Sequence, residues 1–196
     1  TMSGMYAVYY GAEGLKRIAG HIHSCANAVA DALKALGYTF QVDPDFEFFV
    51  FQTDENGKPT TITHEQGGFM DVGPTDFGEN VRREMVLALE QLGFHVESAH
   101  HEEAPAQHGI DFRADEPLAI ADAIVTFKAT ARTIAKQFGM HVTFMPKPKR
   151  DMAGSGMHLN ISIYKDGENL LNNYSENVEI RDELNWFMGG IMRYAP

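Results

Sequence analysis

Asp45 and Glu47 stand two residues apart in a short aromatic segment, residues 45–51. On a strand, side chains two apart share a face with α-carbons roughly 7 Å apart, so the carboxylates project together and Phe46 and Phe48 point the other way. Paired carboxylates repel unless solvent or a cation separates them. A hard divalent ion is one resolution, and an exposed acidic sheet face is the other. His158, Asn160 and Ser162 alternate with Met157, Leu159, Ile161 and Ile163, which gives a second strand with one polar face. That face could line a cleft, although a lone histidine on a sheet is more often a surface or core residue than a ligand.

The densest cluster is His100, His101, Glu102 and Glu103, with His95, Glu97 and His108 nearby. Its nitrogen and oxygen donors suit Mg²⁺, Mn²⁺ or Zn²⁺ better than a hydrophobic core, although the spacing matches no short zinc motif and a charged strand end is the competing reading. Strict alternation puts Glu97 and Glu102 on opposite faces, so only a bulge or a strand end lets both serve one site. The loop Pro146, Lys147, Pro148, Lys149, Arg150, followed by Gly154, Ser155 and Gly156, offers cations and a permissive backbone to a phosphate. It lacks the P-loop spacing, and a solvated basic loop fits it equally well.

The elements that must position these residues can be read from periodicity. Apolar residues at Leu15, Ile18, Ile22, Ala26, Val29, Leu33 and Leu36 mark an amphipathic helix over 12–36 that Gly37 can end. A strand over 45–51 follows, then a turn at Asp54, Asn56 and Gly57 and a second short strand near Thr60. Pro74, Thr75, Asp76 and Glu79 read as a helix start, with Val81, Met85, Ala88, Leu89 and Leu92 on one face up to Gly93. Strands are expected over 94–101 and 107–112. A helix opened by Asp115 and Pro117 runs to Gly139, striped by Leu118, Ala121, Ile124, Val125, Ala131, Ala135 and Phe138. Strands over 141–145 and 157–164 and a last helix from about Ser175 complete the chain. Some strands adjoin without a crossover helix, so the expected class is α+β, with a curved, largely antiparallel sheet flanked by helices.

Composition narrows the function. The 196 residues are 44% hydrophobic and 22% charged, which fits one packed domain rather than a disordered chain. With 16 basic and 27 acidic residues the net charge is −11, which argues against nucleic acid as a partner. No run approaches the roughly 18 apolar residues that span a bilayer, so no membrane partner is expected. The single Cys25 cannot form an internal disulfide framework, and the cytoplasm is the expected compartment.

Several ordered motifs resemble glutamine synthetase of the bacterial type. They are Phe48, Phe49 and Phe51; Gly67 to Asp71; Pro74 to Asn80; His100, His101 and Glu102; Phe144 to Pro148; and Gly154 to His158. The resemblance implies a partial catalytic domain over 45–196, part of that family's catalytic barrel. Residues 1–44 would form a divergent helical segment that does not read as a β-grasp domain. The implied reaction has ATP phosphorylate the side-chain carboxylate of glutamate, after which ammonia displaces phosphate, with Mg²⁺ or Mn²⁺ as cofactor. The implied metal ligands are Glu47 and Glu102 for one ion and Asp45 and His158 for another. Glu97, Asn160 and Ser162 fall at nucleotide-binding positions, and Gly154, Ser155, Gly156 and His158 at substrate-binding ones. The implied partners are ATP, glutamate and ammonia, with homo-oligomerisation of the full-length protein and no activity from this piece alone.

Three residues implied in the site depart from the family pattern, and Glu103 and Ala106 also differ from it. Asp45 replaces a glutamate, Gly109 a third carboxylate ligand of the first ion, and Ala153 an asparagine; Asp111 is the acid nearest to Gly109. These departures leave two other expectations open, a noncatalytic binding or assembly protein and a ligase using another amine.

Overall fold

The computed structural model describes residues 2–171 and 182–194. In chain order the elements are α1 (Met2–Ala35), β1 (Tyr38–Gln52), a 3₁₀ turn (Gly73–Thr75), α2 (Glu79–Gln91), β2 (Val96–His101), β3 (Gln107–Phe112), α3 (Pro117–Gln137), β4 (Met140–Thr143), β5 (Met157–Lys165), β6 (Glu168–Asn169) and α4 (Asp182–Tyr194). The sheet has the order β2-β3-β1-β5-β6, with β4 pairing β1 off that path. The pairs β1/β3, β2/β3, β1/β4 and β5/β6 are antiparallel, so the expected α+β class with a largely antiparallel sheet is what forms. The chain divides into two compact units, residues 40–162 and residues 1–39 with 163–196.

In the larger unit, β1 has two chemically different faces. Phe46, Phe48 and Val50 enter one core with Val81, Met85 and Leu89 of α2, Ile110 and Phe112 of β3, Phe127, Ala131 and Ala135 of α3, and Val142 of β4. The spacing of the α2 and α3 residues puts each set on a single helical stripe, which is why these two helices cover this face. On the other face Asp45 and Glu47 give way to Phe49 and Phe51, which stack at 5.3 Å and pack with Ala104 and Ala106 in a second, smaller cluster. The acidic stretch is thus a half-buried window on a strand whose following residues, 48–51, are buried on both faces.

The sequence places most elements within a few residues, but β1 begins at Tyr38, well before the strand expected over 45–51. β2 begins at Val96 because the Phe94 N–H is spent on the Leu89 carbonyl at 3.0 Å, closing α2 beyond Gly93 at φ +90°. The short strand expected near Thr60 does not form; a single bridge joins Thr53 to Pro59. There the Asp54 carboxylate accepts from the N–H groups of Asn56 and Lys58, and the Thr60 hydroxyl donates to the Gln52 carbonyl at 2.6 Å. Side chains so satisfy backbone groups that a ladder would have used. The strand expected over 141–145 runs over Met140–Thr143 instead. The expected start of the last helix near Ser175 lies outside the described residues, and α4 is described from Asp182.

In the smaller unit α1 extends further toward the N-terminus than periodicity suggested, with one non-helical residue at Gly11. Its expected apolar stripe stays exposed, with Ile22 at 63% and Val29 at 60% exposure, and α4 has no buried residue. Asp166 and Gly167, both at positive φ, form a turn that pairs β5 with the short β6, a strand the sequence reading did not include. Among the described residues no helix is long and apolar enough to cross a membrane.

Phe127 joins the larger core, with its ring 5.5 to 5.8 Å from those of Phe46, Phe48, Phe112 and Phe144. Phe127→Ala is expected to destabilise the protein by roughly 3–5 kcal/mol, the range for emptying a buried aromatic site. Chemical denaturation of the two proteins measures the difference, and a loss under about 1 kcal/mol would show that this core does not hold the unit together.

Candidate functional site

Antiparallel register brings the candidate residues together in two rows. Asp45 faces Asp111, which faces Ser98; Glu47 faces Gly109, which faces His100. Directly opposed residues share a face, so these six positions form one polar surface across β1, β3 and β2. The Ser98 hydroxyl donates to the Asp111 carboxylate. The sequence requirement for a bulge or a strand end is met twice. The register shifts between Val96 and Ser98, which takes Glu97 out of strict alternation, and Glu102 lies one residue past the end of β2.

Glu47 is the most firmly held of the candidates. Its Oε2 accepts from the Gly156 N–H and from Gln107 Nε2, both at 2.8 Å, and Gln107 Nε2 also donates to the Gly154 carbonyl at 3.1 Å. Glu47 is thereby tied to the loop before β5. A β-carbon at Gly156 would meet Glu47 Oε1 at 3.1 Å and the His158 ring at 3.4 Å, which brings these three residues into one neighbourhood. Gly154 leaves no room for a side chain, because a β-carbon there would fall 2.4 Å from the Pro146 carbonyl oxygen. The neighbouring Ser155 hydroxyl is buried without a hydrogen-bond partner, an acceptor and donor left for a ligand or water. Ala153 packs against the Phe49 and Phe51 cluster, so its methyl group has a structural use. His158 and Asn160 are exposed and Ser162 is half-buried.

Beside Gly109 the side chains of Glu102 and His100 converge. His100 Nε2 donates to Glu102 Oε1 at 2.7 Å, while His100 Nδ1 lies 3.4 Å from the Ser98 hydroxyl and 3.8 Å from Asp111 Oδ2. Burial pushes the Glu102 carboxyl above the usual carboxylate range; His100 opposes the rise, and the charges of Glu47 and Asp111 add to it. Asp43 is raised in the same way, first by burial and then by Asp45, Glu97 and Asp111. A cation would relieve both groups, and a donor set rich in carboxylate oxygens fits a hard divalent ion.

Beneath this surface lies a buried polar network that the sequence did not reveal. His101, expected as part of the ligand cluster, turns inward: its Nδ1 donates to the Glu102 carbonyl at 2.6 Å, and its Nε2 lies 3.0 Å from Glu65 Oε1. The Glu65 carboxylate also accepts from the Gly67 and Ala106 N–H groups. Arg82 donates to Asp76 and to His108 Nδ1, each at 2.8 Å. Among the described residues, the ligand atoms of Asp76, His101 and His108 lie within 4.8 Å of one another, and none of Asp45, Glu47, Glu102 or His158 belongs to that trio. A guanidinium already bonds two of its three members, so the trio serves the fold better than it would serve a second cation. No motif marks Glu65 or Gln107 in the sequence, since their partners lie 36 to 60 residues away.

A smaller structural class is thus defined: an α+β sheet domain with helices on one face and a carboxylate-lined patch on the other. Residues 23–196 match the family model for the glutamine synthetase catalytic domain. The chain is 46% identical over 171 residues to glutamine synthetase of Clostridium saccharobutylicum, covering 87% of this chain and 38% of the relative. It is 43% identical over 162 residues to that of Halobacterium salinarum, covering 82% and 36%. A cryo-EM structure of Plasmodium falciparum glutamine synthetase superposes with a TM-score of 0.74 at 23% identity, over 86% of this chain and 39% of the other. An ADP complex of GmaS gives the same TM-score, identity and coverage. The chain belongs to the glutamine synthetase family, whose catalytic domain it matches in part, and it spans well under half the length of these relatives.

Burial lowers the affinity of the His108 ring for a proton well below the ordinary histidine value of 6.5, and Arg82 and the neighbouring histidines add to this. The unfolded chain therefore takes up a proton near pH 6.5 that the folded chain refuses, so stability present above that pH is lost as pH falls below it. The slope is at most about 1.4 kcal/mol per pH unit for this ring. His108→Gln keeps an acceptor for Arg82 and should flatten the decline between roughly pH 5 and 6.5, as read by denaturation midpoints. Parallel profiles for the two proteins would assign the acid sensitivity to other groups.

Proposed function

We propose that this chain is the metal- and nucleotide-holding part of an enzyme that joins ammonia to glutamate at the expense of ATP, through a γ-glutamyl phosphate. The observation that carries the reading is Glu47, fixed by Gly156 and Gln107 on the face that Glu102, His100 and His158 share or border. In this reading Glu47 and Glu102 hold one Mg²⁺ or Mn²⁺ ion and Asp45 and His158 hold another. Glu97, Asn160 and Ser162 contact the nucleotide. Gly154, Ser155, Gly156 and His158 receive the substrate carboxylate. Such ions neutralise charge on a transferring phosphoryl group.

The chain's own groups prepare that step by position. The Gly156 N–H and the Gln107 amide hold one Glu47 oxygen and leave Oε1 directed toward the neighbourhood of His158. The side-chain-free Gly154 and Gly156 let backbone approach a ligand closely, and the unpartnered Ser155 hydroxyl offers it a hydrogen bond. We take residues 45–196 as the catalytic piece and residues 1–44, helical as far as Ala35 and extended from Tyr38, as its lead-in. We expect the full-length protein to be a cytoplasmic homo-oligomer, a reading supported by the exposed apolar stripe of α1. The chain alone is expected to be inactive.

A noncatalytic protein of the same family is the second reading, favoured by the glycine at position 109. Release of ADP by the full-length protein separates the two: turnover that needs glutamate, ammonium and a divalent ion together supports the ligase, and its absence with metal bound supports the other. Turnover with a different amine would keep the chemistry and change the substrate. Glu47→Ala should lower metal affinity by more than the roughly 10–100-fold that outer partners of a metal contribute. Unchanged calorimetric binding of Mn²⁺ would remove Glu47 from the site.

A further inference from the structure

Gly109 sits at the centre of the metal patch, yet it contributes no donor. Glu47 flanks it from β1 and His100 from β2, both in direct register, and Glu102 closes the gap from beyond the end of β2. The volume a side chain at 109 would enter is already taken: a β-carbon there would stand 2.6 Å from Glu102 Oε1 and 2.8 Å from His100 Nε2. A carboxylate at 109 and the present placement of His100 are therefore mutually exclusive. The glycine has let the imidazole into the patch.

We propose that His100 is the third ligand of the ion held by Glu47 and Glu102, supplying through Nε2 the donor that position 109 lacks, and that the site consequently favours nitrogen-accepting ions such as Mn²⁺, Co²⁺ and Zn²⁺ over Mg²⁺. The inference rests on the metal site proposed above. Three observations support it. His100 Nε2 already touches Glu102 Oε1 at 2.7 Å, so an ion entering between them replaces one hydrogen, which leaves to solvent. His100 Nδ1 faces Ser98 and Asp111, which can hold the remaining ring hydrogen and aim Nε2 at the ion, as a carboxylate behind a histidine ligand commonly does. Asp111, the acid nearest in sequence, is the weaker candidate for the ligand itself. It lies one row along, opposite Asp45, and already accepts the Ser98 hydroxyl, so it is a positioning residue for His100. Imidazole shifts preference toward the later divalent metals, whereas an all-oxygen set suits Mg²⁺.

The test titrates Mn²⁺, Zn²⁺ and Mg²⁺ separately into the protein and records nitrogen coupling to bound Mn²⁺ by pulsed electron paramagnetic resonance. His158→Gln is the background, so that the other expected imidazole ligand is silent. In that background a nitrogen coupling should remain and should vanish in His100→Phe, which keeps a ring beside Gly109 but no donor. His100→Phe should also lose about tenfold or more in Mn²⁺ and Zn²⁺ affinity and much less in Mg²⁺ affinity. Gly109→Glu should reverse the preference toward Mg²⁺ and make a second change at His100 nearly silent. Circular dichroism melts of each variant separate misfolding from ligand loss, and if His100→Phe does not fold, the coupling and the ion preference of Gly109→Glu decide the matter. Mn²⁺ bound without nitrogen coupling in the His158→Gln background, and with affinity unchanged by His100→Phe, overturns the role of His100 while leaving the Glu47 and Glu102 site standing. No Mn²⁺ bound by the unaltered protein overturns both.

Discussion

The pairing register of β1 is the constraint on which the remaining structure depends. Phe46, Phe48 and Val50 must face α2 and α3, and with a side-chain period of two that choice turns Asp45 and Glu47 to the other side. A slip of one residue would expose two phenylalanines, each worth about 1.5–3 kcal/mol in burial, and would press two carboxylates into the core at several kcal/mol each. The aromatic core thus selects the acidic face as firmly as any contact made on that face. Because β3 and β2 are registered on β1 in turn, the same choice aligns Gly109, Asp111, Ser98 and His100 with the two carboxylates.

A second layer of constraint lies between the patch and the core. Glu65, His101, Asp76, Arg82 and His108 are all buried, and each is tied to another of them or to backbone by bonds of 2.6 to 3.0 Å. Breaking one member would strand a buried charge, which makes such a network a rigid base. It carries consequence for the surface because His101 bonds the carbonyl of Glu102, and Glu65 bonds the N–H of Ala106 in the turn that follows. The backbone that presents Glu102 is held from beneath, and its carboxylate is left to the groups around Gly109.

Much was legible in the sequence because local signals agreed. The α2 stripe, the Pro117 start, the glycines after α2 and α3, and the strand over 107–112 appear where periodicity and turn chemistry put them. The α3 stripe does not: Ala131 and Ala135 are buried as expected, but Ile120, Ala123 and Phe127 join them while Leu118, Val125 and Phe138 stay exposed. The pairing of carboxylates on one face of β1 also followed from alternation alone. Legibility failed where a side chain captured backbone groups, as Asp54 and Thr60 do in the place of the expected strand, and where the apolar stripe of α1 found no cover within its own unit.

The sequence by itself determined the family, the α+β class, the acidic and aromatic faces of β1 and the side-chain-free position at Gly109, since each depends on residue type, order or short-range period. Only the tertiary structure decided what stands in that gap. Whether His100 or Asp111 approaches the glycine depends on the register of three strands and on a bulge at Glu97 that resets the alternation of β2. It also decided that His101 points inward to Glu65 while its neighbour His100 stays on the patch, because adjacent residues of a strand face opposite ways and only the packed sheet defines which way is in.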